Sequence, residues 1–159
     1  MDTSQGGDFM QCDCCAIKKL IYQYADHIDR GDLRAVAAMF SHGRIVATDE
    51  GGRENQFVGE DAVYDLMSAF TRLYPDNGTP HTKHMTTNVM VELDDDGQTA
   101  GSQAYCIVLQ ALPDFPLQPV IGVRYQDRFE KTETGWRFSR RRMETDLIGD
   151  LSRHLLQAI

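Results

Sequence analysis

Four extended segments in the second half of the chain constrain its fold more than any other feature: Thr82 to Leu93, Thr99 to Leu112, Val120 to Lys131 and Trp136 to Thr145. Between them stand Asp94-Asp95-Asp96-Gly97 and Thr132-Glu133-Thr134-Gly135, both of turn chemistry, and a longer connection from Pro113 to Pro119. Long consecutive strands joined by turns pair with their neighbours, so this half predicts an antiparallel meander.

The first half supplies helices to cover that sheet. From Cys15 to Arg30, Ile17, Leu20, Ile21, Tyr24, Ala25 and Ile28 recur at helical spacing, and Gly31 supplies a stop. Asp32 suits the N-cap of a second, short helix carrying Leu33, Val36, Ala37 and Phe40. Arg44 to Thr48 and Arg53 to Val58 read as a brief hairpin around Asp49-Glu50-Gly51-Gly52. After Gly59 the acidic pair Glu60-Asp61 opens a third helix with Val63, Leu66, Met67 and Phe70 on one face. The tail from Asp146 to Ile159 reads as a final helix with Leu147, Leu151 and Leu155 on one side. Helices followed by a meander make an α+β domain, and a twisted sheet folded over a long helix leaves a cone-shaped interior suited to a ligand. The expected division is an N-terminal segment without regular structure over 1–15, one domain over 16–146 and a C-terminal extension over 147–159.

At 159 residues the chain has the usual size of one domain. Its net charge of -8 opposes binding to a phosphate backbone, and the single basic run Arg140-Arg141-Arg142 is too short to reverse that. No apolar run approaches bilayer-spanning length, and residues 1–11 lack the basic and apolar blocks of a signal peptide, so a cytoplasmic protein without nucleic-acid or membrane partners is expected. Cys12, Cys14 and Cys15 crowd together and make a poor disulfide framework, while a zinc site needs a second ligand pair. Asp94 to Asp96 lack the remaining spaced ligands of a calcium loop.

Taken in order, the segment Ile17 to Phe40, the Gly59 helix start, His81 to Asn88, Gly122 to Phe129 and Gly135 to Phe138 resemble the SnoaL-like branch of the nuclear-transport-factor-2-like superfamily. This branch includes polyketide cyclases, scytalone dehydratase, bile-acid dehydratase and hexachlorocyclohexane dehydrochlorinase. The resemblance implies a cone holding an Asp-His pair that works without metal or organic cofactor. It places the carboxylate at Asp29, the imidazole at His84 in the pattern His-x-x-x-Asn, a polar helix residue at Tyr24 and an anion-assisting arginine at Arg141. It also implies a homodimer or homotrimer. Two departures stand out: the dehydrochlorinase has a lysine where this chain has Tyr24, and scytalone dehydratase has a second histidine on the following strand, where Gln103 and Tyr105 stand here.

These residue types suit proton abstraction. An imidazole titrates near neutrality, a carboxylate beside it fixes the tautomer and stabilises the imidazolium, and a phenol donates to a developing enolate or departing hydroxyl. Phe40, Met67, Phe70, Tyr105 and Phe138 are candidate walls of an apolar pocket. Asp127, between Tyr125 and Phe129, is either a catalytic carboxylate or the buried partner of an arginine.

Each candidate also has a structural alternative. Asp29 lies about 100° round the helix from the centre of the apolar stripe, at a turn of about 100° per residue, and could be a solvated flank residue. Tyr24 lies on the apolar stripe. Strict alternation puts His84 with Thr86 and Asn88, and Met85, Thr87, Val89, Val91 and Leu93 on the other face. Alternation from Trp136 and Phe138 points Arg140 and Arg142 inward, whereas the resemblance selects Arg141; a bulge near Ser139 reconciles the two. The expected function is a cofactor-independent lyase or isomerase acting on a small hydrophobic carbonyl or hydroxyl compound. The alternatives are a non-catalytic small-molecule binding module, or a structural subunit like the small subunit of aromatic-ring dioxygenases.

Overall fold

The computed structural model describes residues 12–48 and 52–159. The element order is α1 (Asp13–Asp29), α2 (Leu33–Ala38), β1 (Arg44–Thr48), β2 (Glu54–Val58), α3 (Gly59–Phe70), β3 (Thr82–Leu93), β4 (Thr99–Leu112), β5 (Phe115–Thr132) and β6 (Gly135–Ile148). One six-stranded sheet runs in the order β2-β1-β6-β5-β4-β3, antiparallel throughout except where β1 lies parallel to β6. The expected α+β cone is the observed architecture, with that one parallel pair added to the meander. None of the described helices is long and apolar enough to cross a membrane.

α1 buries Ile17, Ile21, Tyr24, Ala25 and Ile28 against the sheet, the stripe its spacing requires. Its first turn is fastened by Asp13, whose carboxylate accepts from Trp136 Nε1 at 2.8 Å and Lys131 Nζ at 3.0 Å. A disulfide joins Cys12 to Cys15 across the same turn. This corrects the expectation drawn from crowding: a separation of three at a helix start brings the Cα atoms to 5.2 Å, within bridging range. Residues 13–15 are likewise helical and not irregular, while residues 1–11 of that expectation lie outside the described residues.

Gly31 ends α1 with φ 75°, and a Cβ there would stand 2.1 Å from the Gly78 carbonyl oxygen. That close approach sets the last turn of α1, and Asp29 with it, against the connection leading into β3. The aromatic core lies on the other side, with Phe138 stacked on Phe40 at 5.0 Å and against Phe129 at 4.7 Å between ring centroids.

Register irregularities bend all three long strand pairs and decide which side chains point inward. In β3 the pairing shifts between Thr87 and Met90, with Asn88 at φ 54°. The bulge puts Val89 and Val91 on the His84 face, contrary to strict alternation. In β6, Phe138 pairs with Phe129 and Arg140 with Arg128, so Ser139 is the extra residue and Arg141 turns inward after Trp136 and Phe138.

Two further expectations need correction. The stretch from Pro113 to Pro119 is not a long connection: the chain turns at Pro113-Asp114 and β5 begins at Phe115. Pro116 and Pro119 lack amide protons, and they are tolerated because the β4–β5 register is interrupted around them. The tail is not a helix either. β6 continues to Ile148, and residues 149–159 cross to the α3–β3 connection, where Leu156 N–H donates to the Phe70 carbonyl at 2.9 Å. The Arg72 guanidinium donates to the Leu155 carbonyl at 2.9 Å and the Gln110 amide to the Arg153 carbonyl at 2.9 Å. Backbone groups that a helix would satisfy internally are satisfied by this docking.

Candidate active site

A cavity of about 210 Å³ opens between the sheet and the helices. Tyr24 and Ile28 of α1 form one side; Leu66, Met67 and Phe70 of α3 form another. Val108, Ile121, Val123, Tyr125 and Met143 rise from the sheet, His84 stands at the β3 edge, and His154, Leu155 and Ile159 of the tail complete the wall. No Lys, Arg, Asp or Glu lines it among the described residues.

Asp29 and His84 meet because α1 ends where β3 begins. The Asp29 carboxylate accepts the Thr82 hydroxyl at 2.8 Å, the His84 backbone N–H at 2.9 Å and the His84 ring through Nδ1 at 2.6 Å. The side chains are 10% and 8% exposed. Burial resists ionisation of Asp29, but the hydrogen bonds from the His84 ring and backbone and from Thr82 outweigh it, and the carboxyl titrates below its ordinary range. An ionised Asp29 holds the proton on Nδ1 and leaves Nε2 as the acceptor on the opposite edge of the ring.

Tyr24 presents its hydroxyl at the same cavity. There it donates to the Met143 sulfur at 3.7 Å, a weak acceptor. Burial pushes its pKa up to about 12, against the opposing pull of the Arg141 charge, so the phenol stays a donor at neutral pH. Arg141 itself does not reach the cavity. It is fully buried behind Tyr24 and Tyr125, its guanidinium 4.1 Å from each ring centroid, and it is committed to Asp127 by two hydrogen bonds of 2.9 and 2.7 Å. The expectation that it meets a substrate anion is therefore corrected, and Asp127 takes its structural alternative instead of lining the pocket.

Of the expected walls, Met67 and Phe70 line the cavity. Phe40 and Phe138 do not; both are spent in the aromatic core behind Tyr24. Tyr105 lies on the outer face, 45% exposed under Arg124, because Ala104, Cys106 and Val108 are the inward residues of β4. His81 and His84 go separate ways, His81 to Asp76 at 3.0 Å. Among the described residues no group of three or more His, Cys, Asp or Glu side chains is arranged to hold a metal ion.

His154 was not among the expected residues. It is 6% exposed, its Nδ1 is buried without a hydrogen-bond partner, and its pKa is lowered to about 4, by burial first and then by the neighbouring His84. A histidine among leucines was the only signal in the sequence, and the helical reading of the tail gave it no direction.

Several solved structures share this architecture. An NTF2-like protein with a cystatin-like fold from Novosphingobium aromaticivorans superposes with a TM-score of 0.68 at 21% identity, covering 92% of this chain and 90% of its own. A protein from the same organism, provisionally named an aromatic ring hydroxylase, gives 0.66 at 27% identity, covering 90% and 99%. Another, provisionally named a scytalone dehydratase, gives 0.64 at 20% identity, covering 85% of each. Among curated proteins none matches the chain. The model of the SnoaL-like domain matches residues 12–142, a span that contains Tyr24, Asp29, His84 and most of the cavity wall, and the chain belongs to that family.

Proposed function

We propose that the protein is a cofactor-independent lyase or isomerase of dehydratase or cyclase type, acting on a small hydrophobic carbonyl or hydroxyl compound. The observation that carries this reading is the 2.6 Å contact between Asp29 and His84 Nδ1 at the edge of an apolar cavity. His84 Nε2 takes a proton from carbon next to the substrate carbonyl, and Asp29 stabilises the imidazolium that results. Tyr24 donates to the oxygen on which negative charge grows. Because the walls are apolar, that hydrogen bond and the ion pair act in a medium with little water, where each is stronger. The protonated Nε2 then returns its proton to a departing hydroxyl, to another carbon or to a new oxygen, giving elimination, isomerisation or cyclisation respectively. Family membership and the neighbour provisionally named a scytalone dehydratase support the general reaction type.

The test is a panel of uncharged cyclic ketones and β-hydroxyketones incubated in deuterium oxide, with exchange at the α-carbon and loss of water followed by NMR. Wild-type protein should catalyse exchange on at least one member, and His84→Gln should slow it by about 10²–10⁴-fold. Exchange that His84→Gln leaves untouched, or tight binding of panel members with no exchange or elimination on any, would overturn the reading.

A further inference from the structure

The docked tail brings a second imidazole to the cavity. His154 lines the cavity and its ring makes no hydrogen bond among the described residues: Nδ1 is enclosed by protein without a partner, which leaves Nε2 as the ring nitrogen a ligand can reach. A buried imidazole without a hydrogen bond is destabilising, and a ligand oxygen at Nε2 would supply the missing partner. The ring is also held in place. The backbone carbonyls on both sides of it accept from fixed donors: Arg153 from Gln110 and, at 2.7 Å, from the Tyr74 hydroxyl, and Leu155 from Arg72. The remaining polar atoms at the cavity belong to His84, to the tyrosines and to hydroxyls and backbone, and every formal charge nearby lies behind that wall. Asp29 is covered by His84, and Asp127 and Arg141 neutralise each other behind the tyrosines.

We propose that His154 is a specificity residue that hydrogen-bonds, as a neutral imidazole, a hydroxyl or carbonyl oxygen of an uncharged substrate of one or two rings. This deepens the reading of the same cavity given above and rests on it for the catalytic consequence: the substrate carries two oxygen functions, one served by Tyr24 and His84 and one by His154. The ring count follows from volume, since a dry cavity of about 150 Å³ accepts benzene and this one measures about 210 Å³. Neutrality of the ring fits its low pKa, and absence of charge on the ligand follows from a wall that offers no counter-ion to a buried carboxylate or ammonium.

The experiment uses the full chain and three probes of equal shape: naphthalene, 2-naphthol and 2-naphthoate, titrated at pH 7 against wild type and His154→Leu. Wild type should bind 2-naphthol about tenfold more tightly than naphthalene, the value of one net hydrogen bond, and bind 2-naphthoate at least about a hundredfold more weakly than 2-naphthol. In His154→Leu the naphthol preference should fall to within about twofold while naphthalene affinity is kept, which also shows that the cavity has survived the substitution. Should His154→Leu disturb the fold, His154→Gln, which keeps a donor and an acceptor, is expected to retain part of the preference. Preference for 2-naphthol that persists in His154→Leu, or 2-naphthoate binding as tightly as 2-naphthol, would overturn the proposal. Because the readout is binding, it stands apart from turnover: loss of exchange in His84→Gln with an unchanged naphthol preference in His154→Leu sinks this inference alone, and the converse sinks only the catalytic reading.

Discussion

Two buried carboxylates lie near Tyr24, each paired with a nitrogen base, and they differ in what the partner can do. Asp127 holds Arg141 by two hydrogen bonds with both side chains fully enclosed, and the carboxylate outweighs burial to raise the guanidinium pKa further. That pair is a fixed, self-neutralised charge. Asp29 holds His84 by one ring nitrogen only, beside the cavity, and the partner is an imidazole, whose other nitrogen can accept a proton. The chemistry of a buried pair is thus set by the base: an arginine braces the two tyrosine rings, whereas a histidine leaves a second nitrogen available to a ligand.

Substitutions at the two carboxylate pairs should therefore fail in different ways. Asp29→Asn removes the charge that fixes the His84 tautomer; the corresponding change in a serine-protease triad costs about 10⁴ in rate, and a loss of about 10³–10⁴ in substrate exchange is expected here. Melting in denaturant should meanwhile remain cooperative, since Asn still accepts from Thr82. Arg141→Leu should do the reverse. It leaves Asp127 charged and unpaired in the core at a cost of about 3–5 kcal/mol, read as a fall in the denaturation midpoint. Equal stability losses at both sites would erase the distinction.

The tail sharpens the contrast through pH. The folded His154 pKa of about 4 lies below its unfolded value of 6.5, so the unfolded or undocked state binds the extra proton. Stability from the docked tail is complete above about pH 6.5, falls as the pH drops toward 4 and levels off below that. The groups nearest the ring in this balance are His84, whose charge opposes protonation, and Asp29, whose charge favours it. Limited proteolysis of residues 149–159 should accelerate between pH 6.5 and 4 in wild type and show no such window in His154→Leu. A tail that stays protected through pH 4 in wild type would contradict the burial of a neutral ring.

Much of this was legible beforehand where one physical rule operates alone. The α1 stripe, the Asp32 cap and the bounds of β3 and β4 follow from periodicity and turn chemistry without help from distant residues. Asp29 and His84 were different: helical geometry left Asp29 at the flank of its stripe, and only the family spacing singled the pair out. The errors fall where two rules compete. Alternation misplaced Val89 and Val91 because Asn88 adopts a positive φ and inserts a residue, and it misassigned Arg141 until the extra residue at Ser139 was allowed for. Residue type alone makes Tyr105 a pocket wall, yet the pleat turns it outward between Ala104 and Cys106. The tail failed most completely. Its leucines satisfy a helical pattern, but Phe70, Arg72 and Gln110 offer its backbone partners that no local reading of residues 149–159 contains.

Tyr24 joins the two pairs and gives the finest test of their separation. Its ring lies against Arg141 and edge-on to Tyr125, while its hydroxyl at the cavity donates to the Met143 sulfur at 3.7 Å. Tyr24→Phe keeps the ring and deletes the hydroxyl. Stability should change by less than about 1 kcal/mol, because a hydrogen bond to a thioether contributes little and the stacking on Arg141 is retained. Exchange at the α-carbon should nevertheless fall by about a hundredfold, the order expected when one donor to a developing oxyanion is lost. The loss should fall on kcat with little change in KM, since the hydrogen bond strengthens as charge develops and contributes less in the ground state. A matched loss of stability and activity would instead show that the hydroxyl serves the packing around Arg141, and would move Tyr24 from the Asp29–His84 side to the Asp127–Arg141 side.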